Sequence, residues 1–153
     1  MGYRNLRQCV EDLAANGHLV RCTDEIDAHL EAAEIQRRVF LADGPAVLFE
    51  NVRNCSFPMV SNLFGSLSRA HFMFRDTLEW VQRLVELKTD SNAFWKKPLR
   101  YWKAPWMATR MRPRRCRRGP VLACQTTVDQ LPQLHSWPDD GGAFITLPQV
   151  YTE

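Results

Sequence analysis

The chain has 153 residues, 45% hydrophobic and 24% charged, with a formal net charge of +3. That length suits one ordinary domain or a small domain plus part of another, and the balance is that of a globular protein with a real core. No apolar run reaches the roughly 18 residues of a membrane span, and MGYRNLRQCVEDL turns polar too early for a signal peptide, so a soluble cytoplasmic protein is expected.

In NLRQCVEDLAANG, Leu6, Cys9, Val10 and Leu13 share one helical face, Asn5 is placed as N-cap and Asn16-Gly17 as the stop. HLVRCTDEI alternates and reads as a short strand. Asp27 then starts a second helix whose apolar side is Leu30, Ala33, Ile35, Val39 and Phe40, and Asp43-Gly44-Pro45 ends it. AVLFENV is the near-continuous apolar run of an interior strand. After a turn at Asn54, FPMVSNLFG offers a short strand and SLSRAHFMF part of a third helix. DTLEWVQRLVELK is a fourth helix, with Leu78, Val81, Leu84, Val85 and Leu87 on its buried side. This order predicts a layered α/β (α+β) domain over residues 1–92.

Residues 93–118 differ in kind. From Lys96 to Arg118 there are ten Lys or Arg and no Asp or Glu, leaving the rest of the chain at −7. Trp95, Tyr101, Trp102 and Trp106 are interleaved with them. Cations that track phosphates and aromatics that stack on bases would suit nucleic acid. A polybasic stretch with Trp would equally suit an anionic membrane surface. A solvated linker paired with acidic surface of the same protein or of a partner subunit is the plainer reading, and no RNA-module signature accompanies the run. Beyond it, PVLACQTTV and AFITLPQVYT read as two strands, joined by the irregular DQLPQLHSWPDDGG. Two strands alone make a marginal hairpin and ask for more sheet.

The motifs that carry chemistry are sparse. Five cysteines, an odd number without a Cys-x-x-Cys pair, point to reduced thiols rather than a disulfide framework or zinc site. His18 and Cys22 are four apart, but a turn lies between them. No G-x-G-x-x-G or Walker loop occurs. His135 with Asp139 and Asp140 could suggest acid–base work, yet adjacent carboxylates in a turn serve turn geometry through Asx hydrogen bonds. Ser61, Ser66 and Ser68 lack a nucleophile-elbow context. By motif alone there is no catalytic constellation.

Five stretches together carry a resemblance: YRNLRQCVEDLAANGHLVR, DAHLEAAEIQRRVF, DGPAVLFENV, FPMVSNLFGS and TTVDQLPQLHSWPDDGGAFIT. In this order and spacing the chain resembles the N-terminal part of the UbiD-like decarboxylases of the 4-hydroxybenzoate type, which use prenylated flavin mononucleotide. The resemblance implies an N-terminal α/β domain, a basic aromatic linker over 93–118, and over 119–153 the first strands of a split-barrel flavin-binding domain. It implies the front part of a longer enzyme that removes CO₂ from an aromatic or α,β-unsaturated acid, in quinone biosynthesis for some members. The cofactors implied are prenylated FMN, a divalent metal (Mn or Mg) and, in some members, potassium.

The family's Asn, Arg and acidic catalytic residues lie beyond residue 153, so no catalytic or metal residue is expected within the chain, and the chain alone should be inactive. Thr146 falls near where relatives approach the cofactor, although Thr is also an ordinary strand residue. The partners implied are a small aromatic acid and, at full length, further copies of the chain, with peripheral membrane contact compatible and nucleic acid not expected. Two other readings stay open: a non-enzymatic module using residues 96–118 on nucleic acid or anionic membrane, and a truncated interaction partner of a full-length subunit.

Overall fold

The computed structural model describes residues 2–90, 98–102, 106, 109, 119 and 123–144. In chain order these form α1 (Leu6–Ala15), β1 (Leu19–Ile26), α2 (Glu31–Leu41), β2 (Ala46–Val52), β3 (Met59–Ser61), α3 (Leu67–Met73) and α4 (Leu78–Thr89). One helical turn, α5 (Pro98–Tyr101), and a 3-10 turn over Val128–Gln130 follow. The architecture is α/β, as the alternation of helical and strand periods predicts.

Local chemistry sets the element ends. The Asn5 side-chain oxygen accepts the Gln8 backbone N–H at 2.9 Å, satisfying one of the donors that a helix start leaves open. At the other end Gly17 takes a φ of +73°, and the His18 N–H returns to the Leu13 carbonyl. Cys9, Val10 and Leu13 are buried as their spacing predicts, whereas Leu6 on the open first turn is exposed.

The start of α2 corrects an expectation. Asp27 does not cap it; the helix begins four residues later, after Leu30 at φ +66°. The Asp27 carboxylate accepts from the His29 N–H instead, and Glu31 reaches back to the Asp27 N–H. The same polar residues thus build a turn ahead of the helix, the competition that Asp side chains characteristically offer.

The sheet is mixed, in the order β1-β2-β3, with β1 parallel and β3 antiparallel to β2. Parallel neighbours need a crossover, and α2 supplies it. β2 therefore has strands on both sides, which explains the apolar run Ala46–Phe49 that opens it. On one face Val47 and Phe49 join Ile26, Ala28, Ala32 and Val52 in the core, with Ile35 and Val39 of α2 packed against them. Burying Phe49 alone contributes about 2–3 kcal/mol. Leu48, Glu50 and Val60 belong to the other face, where they line a groove with Leu6 and Val10 of α1.

By contact density the chain divides into two compact units, one comprising Arg4–Ala70 with the segment from Gln125 on, the other Met1–Tyr3 with His71–Cys124. Within the first, the later segment returns to the core and to the turn ahead of α2. Leu134 packs on the core, His29 and His135 form a parallel bridge, and the Leu30 N–H donates to the His135 carbonyl at 2.9 Å. The Phe144 N–H donates to the Leu134 carbonyl, closing the turn between them. The strand expected over PVLACQTTV is absent from its described part: Cys124–Thr127 has no strand pairing. Residues 145–153, with the expected strand and Thr146, lie outside the described residues.

Within the second unit α4 has its expected span but no buried residue, so its apolar stripe is not the core face its pattern suggests. Val81 and Val85 are exposed. Tyr101 of α5 is buried, and its hydroxyl donates to the Glu86 carboxylate at 2.7 Å.

Candidate functional site

A cleft of about 460 Å³ in the first unit lies between α2, the end of β3 and the Leu134–Ser136 segment. Its floor is apolar, from Ala28, Ala32, Phe49 and Met59, because β2 and β3 pair Phe49 directly with Met59. Phe40 and Phe64 also line it, and both are more than half exposed. The sequence places Phe40 on the buried side of α2; it sits one turn past Gln36, where the apolar stripe of the helix runs out over the cleft.

The wall after β3 is held by a buried arginine. Arg69 is only 3% exposed, and its guanidinium donates to the carbonyls of Leu63, Asn62 and Gly44 at 3.0, 2.6 and 3.2 Å. Asn62, at φ +58°, adds side-chain bonds to the Gly44 and Pro45 carbonyls. The loop after β3 is thereby stapled to the loop after α2. Burial pushes the Arg69 pKa down, opposed by the nearby charge of Asp43. Gly65 completes the wall, since a Cβ there would come within 1.8 Å of the Asn62 side-chain oxygen.

Polar groups reach the cleft from Gln36, Ser61, Asn62, His135 and Ser136. The Ser61 hydroxyl is buried with no hydrogen-bond partner among the described residues. The His29 and His135 rings meet at a tilt of 46° with their centroids 4.9 Å apart. Asp140, by contrast, is spent on the turn: one carboxylate oxygen accepts the Ser136 and Trp137 N–H groups at 2.8 and 2.9 Å. The reading of Asp139-Asp140 as turn chemistry rather than catalysis fits that geometry.

Among the described residues, His135 is the one titratable group lining the cleft, and no Lys or Arg lines it. A flavin phosphate needs cationic, metal or helix-end counter-charge. Among the described residues no group of three His, Cys, Asp or Glu could hold a metal ion. The cleft lining therefore does not fit a flavin phosphate, no metal-binding group of three exists among the described residues, and no acid–base pair is assembled in the cleft. Among the described residues, none of Cys9, Cys22, Cys55 and Cys124 is in a disulfide. Sequence reasoning passes over Arg69 and the cleft it shapes, because an arginine in SLSRAHFMF carries no mark that distinguishes a buried carbonyl staple from a solvated helix residue.

Residues 10–88 match the 3-octaprenyl-4-hydroxybenzoate carboxy-lyase N-terminal domain, and residues 111–153 match the Rift-related domain of the same carboxy-lyase. The chain belongs to this UbiD carboxy-lyase family. Among UbiD relatives, an uncharacterized protein of Chlamydia trachomatis serovar D is 38% identical over 97% of this chain and 26% of its own length. A 4-hydroxybenzoate decarboxylase subunit of Chlamydia pneumoniae is 36% identical over 97% of this chain and 26% of its own. The chain thus spans about a quarter of these relatives' length. A structure of the vanillic acid decarboxylase of Sedimentibacter hydroxybenzoicus, in open form, shares 28% identity over 48% of this chain and 16% of its own, with a TM-score of 0.46. In this UbiD chain the cleft draws on both family matches: most of its lining lies in the first, and Leu134, His135 and Ser136 lie in the second.

Proposed function

We propose that the chain is the N-terminal section of a prenylated-FMN-dependent decarboxylase that removes CO₂ from an aromatic, 4-hydroxybenzoate-like or α,β-unsaturated acid, with quinone biosynthesis as its setting. The observation that carries this reading is the pair of family matches, N-terminal domain then Rift-related domain, in one chain and in that order. The name of the Chlamydia pneumoniae relative supports the 4-hydroxybenzoate class. Loss of CO₂ leaves carbanion-like charge on carbon, and such chemistry relies on a cofactor to accept it while the protein orients the acid and moves protons.

The cleft lining neither fits the flavin phosphate nor assembles an acid–base pair, so in this reading the cleft is scaffold. We take residues 1–92 as the N-terminal domain, 93–118 as a linker and 119–153 as the beginning of the flavin domain, with Thr146 as the residue of this segment that approaches the cofactor. The catalytic residues, the divalent Mn or Mg and any potassium site belong to polypeptide other than this segment. The working enzyme is a cytoplasmic homo-oligomer. No described helix is long and apolar enough to cross a membrane.

Flavin retention tests the division of labour. Purified after co-expression with a flavin prenyltransferase, this chain should carry no flavin absorbance, whereas a polypeptide that also carries the remaining family domains should be coloured. A chain that by itself retains stoichiometric flavin would overturn the assignment.

A further inference from the structure

Ser61 belongs to the face of the sheet that borders the cleft. In the antiparallel pairing it lies opposite Val47, as Met59 lies opposite Phe49. Strand residues two apart share a face, so these four side chains are on one side. Val47 and Phe49 are core residues there, and Met59 and Ser61 line the cleft. The Ser61 hydroxyl is buried without a hydrogen-bond partner among the described residues. A buried hydroxyl in that state costs free energy, and its presence beside a cavity calls for an occupant. A serine oxygen moves between staggered wells about a single torsion, so it can turn to meet a group that enters. Gln36 and His135, also on the lining, carry nitrogen or oxygen atoms able to donate or accept. Phe40 lines the cleft too and is 54% exposed, a ring that gains by being covered.

We propose that this cleft binds an uncharged, hydroxyl-bearing aromatic compound of the naphthol or alkylphenol class, its hydroxyl at Ser61 and its ring on the Phe49–Met59 floor. Size admits such a ligand, since about 460 Å³ lies within the range of small-molecule sites. Charge sets the class. Among the described residues no Lys, Arg, Asp or Glu lines the cleft. A carboxylate brought onto the apolar floor would shed hydration with no fixed cation to offset the loss. An ammonium would find no carboxylate. A phenolic hydroxyl gives up far less, and the Ser61 oxygen replaces the water it leaves. A plain hydrocarbon would cover the floor but leave that oxygen unmet. The cleft therefore discriminates against the aromatic acids proposed above as substrates. It stands apart from the decarboxylase reading, in which it has no catalytic part, and binding here is measured without turnover.

Amide NMR spectra of the isotope-labelled full chain, titrated with 2-naphthol, test the proposal, and 6-hydroxy-2-naphthoate serves as the acid counterpart. Naphthol is expected to shift the Ala33, Ser61 and His135 amides together and saturably. The acid should bind at least about tenfold more weakly. Ser61→Ala should weaken naphthol binding by about fivefold through the lost hydrogen bond. Ala33→Leu puts a larger side chain on the lining while keeping a good helix former, and should abolish the shifts in a chain that still melts cooperatively. The proposal is overturned by the absence of saturable shifts at these amides, by acid binding as tight as that of naphthol, or by an affinity that Ser61→Ala leaves unchanged.

Discussion

Arg69 donates to three backbone carbonyls from a site almost closed to water, so its worth lies in what its loss would strand. Arg69→Ala would strand the Leu63 carbonyl, while Asn62 keeps the Gly65 N–H and Gly44 the Asn62 side-chain amide, at a cost of about 2 kcal/mol in urea denaturation. Arg69→Lys should recover less than half, because an ammonium cannot fan to three acceptors as the planar guanidinium does. Ser61 presents the opposite case. Its buried hydroxyl has no partner among the described residues, so Ser61→Ala should be neutral or stabilising by up to about 1 kcal/mol; a loss of stability would show that the hydroxyl is satisfied in solution.

Glu34 supplies the pH dependence at this scale. Hydrogen bonds from Arg37 and then Arg38 hold its carboxyl at about 2, below the ordinary 4.5. Because the folded value is the lower one, the stabilisation is present above about pH 4.5 and is lost as pH falls toward 2. The three side chains are open to solvent, Glu34 41% exposed and the arginines more so, and the effect is small and screened by salt. Glu34→Gln should flatten the acid limb of a stability-against-pH curve between those values, and an unchanged limb would contradict it.

At the scale of elements, much of the first ninety residues was legible because each element declares itself locally. Asn5 and Gly17 bracket α1, the apolar AVLFENV marks the central strand, and Asn54 at φ +56° marks its turn. Asn5→Ala should cost about 1 kcal/mol through the lost cap, measurable as a lowered denaturation midpoint. One boundary and one burial were not legible. Asp27 sits in an Asx turn rather than at the helix start, since both arrangements use the same side chain and only the path of the following residues chooses between them. The stripe on α4 was readable as amphipathic, but periodicity reports that a face is apolar and not whether anything in the described structure covers it.

The cleft was less legible than the fold, and for a related reason. Its walls come from α2, β3 and Leu134–Ser136, about a hundred residues apart in sequence, and no local pattern signals that they converge. The later segment shows the same limit. PVLACQTTV has the composition of a strand, yet Cys124–Thr127 has no strand pairing, while the neighbouring turn was readable because Asp140 and the glycines encode it locally.

At the scale of the molecule, order should follow hydrogen bonding rather than distance along the chain. The β2 amides, paired on both sides, should exchange slowest, and the His135 and Phe144 amides, bonded to Ala28 and Leu134, more slowly than those of Cys124–Thr126. Uniform rapid exchange over residues 123–144 would contradict the return of that segment to the core and the turn ahead of α2.

The central claim is that this UbiD-family chain frames a decarboxylase whose chemistry is housed in other family domains. Release of CO₂ from carboxyl-labelled 4-hydroxybenzoate, in the presence of prenylated FMN and Mn²⁺, tests it most directly. The account predicts release by a polypeptide carrying this chain with the remaining family domains and none by residues 1–153 alone. Turnover by residues 1–153, or none by the longer polypeptide across aromatic and α,β-unsaturated acids, would contradict it.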